Sequence, residues 1–376
     1  MNEESALKKI LFAFGTRPEA IKMAPLVREF QSRVSSFKVV VCVTGQHRQM
    51  LDHVLHTFCI VPDYDLNVMQ PGQSLSGLTS AILAGFDKVL ETEKPDIVMV
   101  QGDTTTSLAC GLAAFYRSIK VAHVEAGLRT EDRLSPFPEE ANRRMTTVLS
   151  DWHFAPTRKA GDALLAERVD ANRVYVTGNT VIDALLSAVK KVRAEPGHYG
   201  EKFAFLANDK RLVLITGHRR ESFGEGMDAI CKAIRRLAQA HNGVIFTYAV
   251  HLNPLVQAPV TQILSDVENV KLIAPQEYLD FVWLIDRSHL VLTDSGGIQE
   301  EAPSLGKPVV VMREITERME AVEAGSAVLA GNREQGIFDA VNTLLLDDSR
   351  YSSMANVVNP FGDGTSSRQI ADILSQ

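Results

Sequence analysis

Short apolar runs alternate with longer stretches of helical periodicity along almost the whole chain, and no other feature constrains the fold as strongly. In the first half the runs fall at residues 10–14, 38–43, 97–100, 120–124, 152–154 and 174–176, with helical patterns such as 19–30, 75–91 and 105–117 between them. The alternation restarts at residues 212–215 and continues at 244–248, 270–272, 290–292 and 309–311. Strands separated by helices pair in parallel through crossovers, which predicts an α/β protein. A chain of 376 residues exceeds one ordinary core, so the two series read as two doubly wound domains facing across a deep cleft. Residues 190–211, charged and interrupted by Pro196-Gly197, read as a linker or peripheral excursion near the boundary. Ligands are expected outside the carboxyl ends of the strands. At the end of the chain, Ser366 and Ser367 read as caps of a last short helix.

Composition removes several classes of function. A formal net charge of -7 argues against general binding to nucleic acid or a membrane surface. No apolar run approaches the roughly 20 residues that span a bilayer, and the N-terminus is acidic before its first strand-like run rather than a secretory signal. The protein is therefore expected in the cytoplasm. The cysteines are Cys42, Cys59, Cys110 and Cys231; they form no C-x-x-C pair and no His/Cys cluster with zinc spacing. Three of the four sit in apolar contexts and read as small core residues, and no structural metal is expected.

Chemistry-bearing residues gather at the predicted strand ends. The first strand runs into GTRPEAIK, where Gly15 suits a tight turn, Pro18 an early helical position, and Arg17 and Lys22 a diphosphate. The turn lacks G-x-G-x-x-G, which disfavours a nicotinamide dinucleotide. Residues 97–100 lead into QGDTTT, where Asp103 by itself reads as a helix N-cap. Residues 120–124 lead into EAGLR, leaving Glu125 at another strand end, and SPFPEE stiffens a loop that presents Glu139 and Glu140. Three carboxylates, Asp103, Glu125 and Glu139, converging on one cleft exceed what capping requires and point to acid–base chemistry.

In the second half, residues 212–215 run into TGHRRE, placing His218 among arginines, where it tends to stay neutral and can donate to a phosphate or leaving group. His251, in VHLNP, is balanced between a structural and a ligand-binding role. The stretch DSGGIQEEAPSLGKP puts Ser295, Gly296 and Gly297 at a strand-to-helix turn, whose backbone N–H groups and dipole suit an anion.

These residues together resemble the non-hydrolysing UDP-N-acetylglucosamine 2-epimerase family of bacterial type. The resemblance runs from GTRPEAIKMAPL through TGQHRQML, QGDTTTSLA, HVEAGLRT, SPFPEEANRR, VTGNTVIDAL and TGHRRESFG to DSGGIQEEAPSLGKP and NPFGDG. It implies a GT-B fold of two Rossmann-like domains, spanning residues 1–185 and 186–364, with a last helix at 365–376 crossing back to the first. It implies a homodimer that needs neither NAD nor metal, binds UDP, and supplies precursors of surface polysaccharide.

By this resemblance Arg17, Lys22, Asp103, Glu125, Glu139 and His218 match catalytic and substrate-contacting positions. Gln276, Phe281, Ser295, Gly296, Gly297, Glu301 and Arg318 match those that hold UDP. Gln46, Gln49, Arg219 and His251 match positions for a second UDP-N-acetylglucosamine, an allosteric activator, and Gly72 stands where some members carry an arginine for it. The family's Arg-Asp-Thr-Thr-Glu-Arg-Pro-Glu appears as Arg313-Glu314-Ile315-Thr316-Glu317-Arg318-Met319-Glu320. Loss of the proline is expected to loosen the loop that places Arg318, and Ile315 removes a hydroxyl. Ala249 also replaces a proline. Glu301 is expected to accept hydrogen bonds from the ribose, with Glu300 only packing or capping.

The expected reaction breaks the C1–O bond to UDP, removes the C2 proton to leave 2-acetamidoglucal, and adds UDP and a proton back with inversion at C2. A GT-B glycosyltransferase, a hydrolysing epimerase and a catalytically silent nucleotide-sugar sensor are the rival readings.

Overall fold

A computed structural model of the chain describes residues 7–45, 48–70, 72–130, 132–206 and 210–376. The chain forms two compact units, one running up to Ala184 and including Phe361–Gln376, the other Leu185–Pro360.

Among the described residues, the first unit contains a seven-stranded parallel sheet. Its strands are β1 (Lys8–Phe14), β2 (Phe37–Val43), β3 (Tyr64–Asp65), β4 (Ile97–Gln101), β5 (Lys120–Val124), β6 (Trp152–Ala155) and β7 (Val174–Val176). Their order is β3-β2-β1-β4-β5-β6-β7, so the winding reverses between β1 and β4. The second unit contains a six-stranded parallel sheet of β8 (Arg211–Thr216), β9 (Val244–Ala249), β10 (Val270–Ile273), β11 (Leu290–Thr293), β12 (Val309–Val311) and β13 (Ala327–Leu329). The order β10-β9-β8-β11-β12-β13 reverses between β8 and β11. Ligand crevices of doubly wound sheets open at such reversals.

The strands lie under helices on both faces, which is why they read as continuous apolar runs rather than alternating ones. Leu11, Phe12, Ala13 and Phe14 are all fully buried. On one side of the first sheet, Ile82 and Phe86 pack with Ala109, Cys110 and Ala113 against Leu11, Val98 and Val100. In the second unit Ile230, Ile234 and Leu237 pack on Phe246 and Tyr248. Cys42, Cys110 and Cys231 are buried and Cys59 is exposed, matching the reading of three core thiols.

Three local expectations need correction. The sequence pattern did not reveal β3 or β13, each an edge strand of its sheet. The segment 190–211, read as a linker or a peripheral excursion, is not a loose linker: the helix Thr180–Ala194 is followed by Pro196–Lys202. Tyr199 and Phe203 stack on Trp283 at 5.9 and 5.0 Å, and Lys202 pairs with Asp280 at 2.6 Å. Two aromatic rings four residues apart anchor this segment, too sparse a pattern to show as periodicity. Finally, Thr365 occupies the N-cap of the last helix, Ser366–Ser375, while Ser366 and Ser367 are buried in its first turn.

That helix belongs to the first unit. Lys8 Nζ donates to the Leu374 carbonyl at 3.0 Å, Arg33 pairs with Asp372 at 2.6 Å, and Asp183 accepts from the Ser367 N–H at 2.8 Å. No described helix is long and apolar enough to cross a membrane.

Candidate functional site

In the first unit, β1, β4 and β5 are adjacent, and the turns that follow them carry Arg17, Asp103 and Glu125. Arg17 is half-buried at the start of the helix Arg17–Ser32. The turn before it needs glycine for space rather than for a left-handed backbone. A Cβ at Gly15 would sit 2.0 Å from Thr44 Oγ1 and 2.7 Å from Thr106 Oγ1, two hydroxyls that are hydrogen-bonded to each other at 3.0 Å. Thr16 and Glu19 form a capping box. The buried Glu19 carboxylate accepts from the N–H groups of Gly15 (3.0 Å) and Thr16 (2.7 Å) and from Thr104 Oγ (2.6 Å). Burial pushes its pKa up, and these donors oppose the shift. Glu19 thereby ties the Arg17 turn to the Asp103 turn. The T-x-x-E spacing signals the cap, but the bond to Thr104 spans 85 residues and leaves no local trace.

Asp103 is not a helix cap. Thr104 takes that position, accepting from the Ser107 N–H at 3.2 Å. Asp103 instead pairs with Arg143, and its carbonyl accepts from Asn142 Nδ2 at 2.9 Å. Arg143 also pairs with Glu140 at 3.2 Å. The carboxylate of Glu140 is fully buried and further binds Arg144 Nε at 2.7 Å and the Thr130 N–H at 3.1 Å. In the acidic pair of SPFPEE, Glu140 is therefore the anchor. Glu139 lies half-buried in the first turn of the helix Glu139–Leu149, where the dipole favours its charge. Among the described residues, no hydrogen bond or ion pair joins it to Asp103 or Glu125.

Glu125 has φ of 63°, a left-handed conformation that costs a non-glycine residue energy and clusters at functional positions. Lys22 Nζ and Asn179 Nδ2 (2.7 Å) both donate to its Oε2. A Cβ on the neighbouring Gly102 would lie 3.7 Å from its Oε1, so the Glu125 carboxylate sits beside the turn that carries Asp103. His123, buried on β5, holds that turn through Nε2 and the Gly102 carbonyl at 2.7 Å.

In the second unit, His218 and Arg219 follow β8, His251 follows β9, Gln276 follows β10, Ser295 to Gly297 follow β11, and Arg318 comes after β12. The ends of β8 and β11 are joined by the hydroxyls of Thr216 and Thr293 at 2.7 Å. Asp294, fully buried, accepts from the N–H groups of His218 (2.7 Å) and Arg219 (2.8 Å), and its Oδ1 lies 3.6 Å from His218 Nδ1. The His218 ring stacks on His251 at 5.2 Å. Desolvation lowers the His218 pKa, His251 and Arg219 add to the shift, and Asp294 opposes it. His251 is exposed and its Nδ1 accepts from the Asn253 N–H at 3.1 Å. Gln276 is half-buried and donates to the Ala274 carbonyl at 2.6 Å. Phe281 is half-buried in the first turn of Tyr278–Arg287.

Ser295 caps the short helix Gly296–Glu301 by position, without a side-chain cap bond. Glu301 lies beside the glycine turn, its Oε2 3.9 Å from where a Gly297 Cβ would stand. Glu300 is buried and pairs with Arg318 Nε, so it does more than pack or cap. The Arg318 guanidinium lies against Gly296, whose Cβ would be 3.7 Å from Arg318 Cζ. The loop expected to be loosened by Met319 is tied down twice. Glu300 holds the Arg318 side chain, while Thr316 accepts from the Arg318 N–H at 3.1 Å and donates to Gln299 at 2.6 Å. Ile315 is 76% exposed. Gln46 lies outside the described residues, and Gln49 sits on the helix Arg48–Thr57. Among the described residues, no group of three or more His, Cys, Asp or Glu is placed to hold a metal.

Comparison with known proteins follows the same lines. The family model described as UDP-N-acetylglucosamine 2-epimerase matches residues 29–375. The UDP-N-acetylglucosamine 2-epimerase of Escherichia coli K12 is 54% identical over 97% of this chain and 98% of its own length. The crystal structure of UDP-GlcNAc 2-epimerase from Neisseria meningitidis bound to UDP-GlcNAc is 50% identical, covers 97% of this chain and 99% of that one, and superposes with a TM-score of 0.91. That of the Methanocaldococcus jannaschii enzyme with UDP-GlcNAc and UDP is 34% identical, covers 98% of this chain and 99% of that one, and gives 0.80. The two parallel α/β units are those of the GT-B fold. With the motifs, the fold and full-length similarity in agreement, the chain belongs to the UDP-N-acetylglucosamine 2-epimerase family.

Proposed function

We propose that this chain inverts C2 of UDP-N-acetylglucosamine to give UDP-N-acetylmannosamine, by eliminating UDP and adding it back. The observation that carries the reading is Glu125, held in a left-handed backbone at a strand end beside the Asp103 turn, with Lys22 on its carboxylate. The C2 proton is not adjacent to a carbonyl. Breaking the C1–O bond places positive charge on the sugar ring and acidifies that proton. A carboxylate takes it, leaving 2-acetamidoglucal and UDP. Return of a proton to the opposite face of C2, with the UDP oxygen rejoining C1, gives the epimer and balances all atoms.

Asp103, Glu125 and Glu139 share proton removal, proton return and stabilisation of ring charge. Arg17, Lys22 and His218 stabilise the departing diphosphate, where one placed donor is worth about 3 kcal/mol. Gln276, Phe281, Ser295, Gly296, Gly297, Glu301 and Arg318 hold UDP, which makes Leu185–Pro360 the nucleotide unit. Arg219 and His251, with Gln46 and Gln49, take a second UDP-N-acetylglucosamine as activator. The reaction supplies surface-polysaccharide precursors from the cytoplasm and needs neither NAD nor metal.

Turnover in D2O tests the scheme. Product carrying deuterium at C2 is expected, and product without it sinks the mechanism. Free N-acetylmannosamine would indicate hydrolysis instead. A sigmoidal dependence on UDP-N-acetylglucosamine reports the activator in the same assay, and a hyperbolic one counts against it. The enzyme is further proposed to be a homodimer. Phe115, Tyr116, Met145 and Val148 are exposed on two helices packed against each other, Thr105–Tyr116 and Glu139–Leu149, and apolar residues so placed suit an interface. Sedimentation equilibrium should return twice the chain mass; the mass of one chain at micromolar concentration rejects the dimer.

A further inference from the structure

Asn179 lies in the turn between β7 and the helix Thr180–Ala194 and is almost wholly buried. Its hydrogen bonds tie it to three parts of the unit. Its backbone N–H donates to the Phe361 carbonyl at 2.7 Å, its Oδ1 accepts from the Val181 N–H at 3.1 Å, and its Nδ2 donates to Glu125 Oε2 at 2.7 Å. The second bond settles the orientation of the amide. Because Oδ1 faces an N–H group, the NH2 end must face the carboxylate, and the reversed amide would set donor against donor and acceptor against acceptor.

The turn is built around this arrangement. Gly178 has φ of 84°, and a Cβ there would meet Ser366 Oγ at 2.7 Å and both Gly362 Cα and the Phe361 carbonyl at 3.1 Å. Only glycine lets the Phe361–Gln376 segment approach closely enough to receive the Asn179 N–H.

We propose that Asn179 is a positioning residue for Glu125: its amide keeps the carboxylate ionised and in one orientation for proton exchange at C2 of the sugar. This rests on the acid–base role given to Glu125 above. A hydrogen bond to the charged form favours that form. Two donors converging on Oε2, the Asn179 amide and the Lys22 ammonium, also hold the carboxylate against rotation. Lys22 alone supplies charge but little direction, since an ammonium on a flexible stem follows its partner. The rigid amide, anchored at Oδ1 by the Val181 N–H and through its backbone by the Phe361 carbonyl, supplies the direction.

Asn179→Asp separates this role from a purely structural one. Aspartate keeps an acceptor for the Val181 N–H and the backbone bond to Phe361, but it loses the donor and sets a second carboxylate against Oε2. Among the described residues, the charged and titratable groups near Glu125 include Lys22 from the helix Arg17–Ser32, His123 on the preceding strand, Asp103 at the neighbouring strand end, and Arg143, which pairs with Asp103 from the helix Glu139–Leu149. The expected result is a kcat about 10- to 100-fold lower with KM nearly unchanged, recovering in part at lower pH as the two carboxylates share a proton. Asn179→Ser, which can still cap Val181 but cannot reach Glu125, should lower kcat likewise, and it decides the matter if the aspartate variant fails to fold. Wild-type kcat in a folded serine variant, or a loss confined to KM, overturns the inference. A wild type that does not epimerise, or a Glu125→Gln variant as active as wild type, instead removes the reading on which it rests.

Discussion

Replacing Glu125 by glutamine should lower kcat for epimerisation by about a thousandfold while leaving UDP affinity within a few-fold of wild type. Glutamine has the same shape and can still accept from Lys22 and Asn179, but it cannot take or return a proton. Of the residues proposed to contact UDP, Arg17 and Lys22 share a unit with Glu125, while Gln276, Phe281, Ser295, Gly296, Gly297, Glu301 and Arg318 lie on another unit, after β10, β11 and β12. Loss of turnover should therefore appear without loss of nucleotide binding, read by calorimetry with UDP alone. Parallel loss of both would make Glu125 a binding residue and shift the acid–base role to Asp103 or Glu139. The side chain starts from a strained backbone and is gripped by two donors, so the native structure already bears the cost of fixing it.

The second large effect concerns stability. Acidification from neutral pH should weaken the first unit before carboxylates with ordinary pKa values begin to titrate. His123 and His153 are paired in register on β5 and β6, both are buried, and burial pushes each down to about 4 from the usual 6.5. Each imidazole is neutral in the folded chain. The unfolded chain binds more protons between those values, so stability rises with pH across the window and falls as pH drops through it. From about pH 7.5 to about pH 5 the loss is about 2 kcal/mol for each histidine. Glu19 and Asp183, whose pKa values burial raises, oppose the trend, because their folded forms gain protons more readily than the unfolded chain does. The comparison is therefore made against His153→Phe, which keeps a ring but cannot titrate. Its urea midpoint should fall less between the two pH values than that of wild type, and equal slopes would remove His153 as the cause.

Most strands were legible because each is buried on both faces and leaves an unbroken apolar run. The edge strands β3 and β13 were missed; they are only partly buried. Candidate site residues could be assigned to strand ends because the apolar runs mark the strands that precede them, and doubly wound sheets generally take ligands there. Residues that act through long-range bonds were hidden. Glu140 looks like the twin of Glu139 in the sequence, and only the fold buries one and half-exposes the other. Asp103 preceding threonines resembles a cap, yet Thr104 reaches the Ser107 N–H while Asp103 turns to Arg143, 40 residues away. Asn179 and Asp294 carry no local signature of what they hold. Gly15 was legible as a required glycine, but the reason, two hydroxyls in the way of a Cβ, belongs to tertiary structure.

The attachment of Phe361–Gln376 divides the first unit between two stretches of chain far apart in sequence, whereas Leu185–Pro360 is one continuous stretch. The Leu374 carbonyl meets Lys8 across 366 positions, and Asp372 meets Arg33 across 339. The same segment supplies the Phe361 carbonyl that receives the Asn179 N–H. A substitution in Phe361–Gln376 therefore bears on the turn that grips Glu125 as well as on the packing of its own helix.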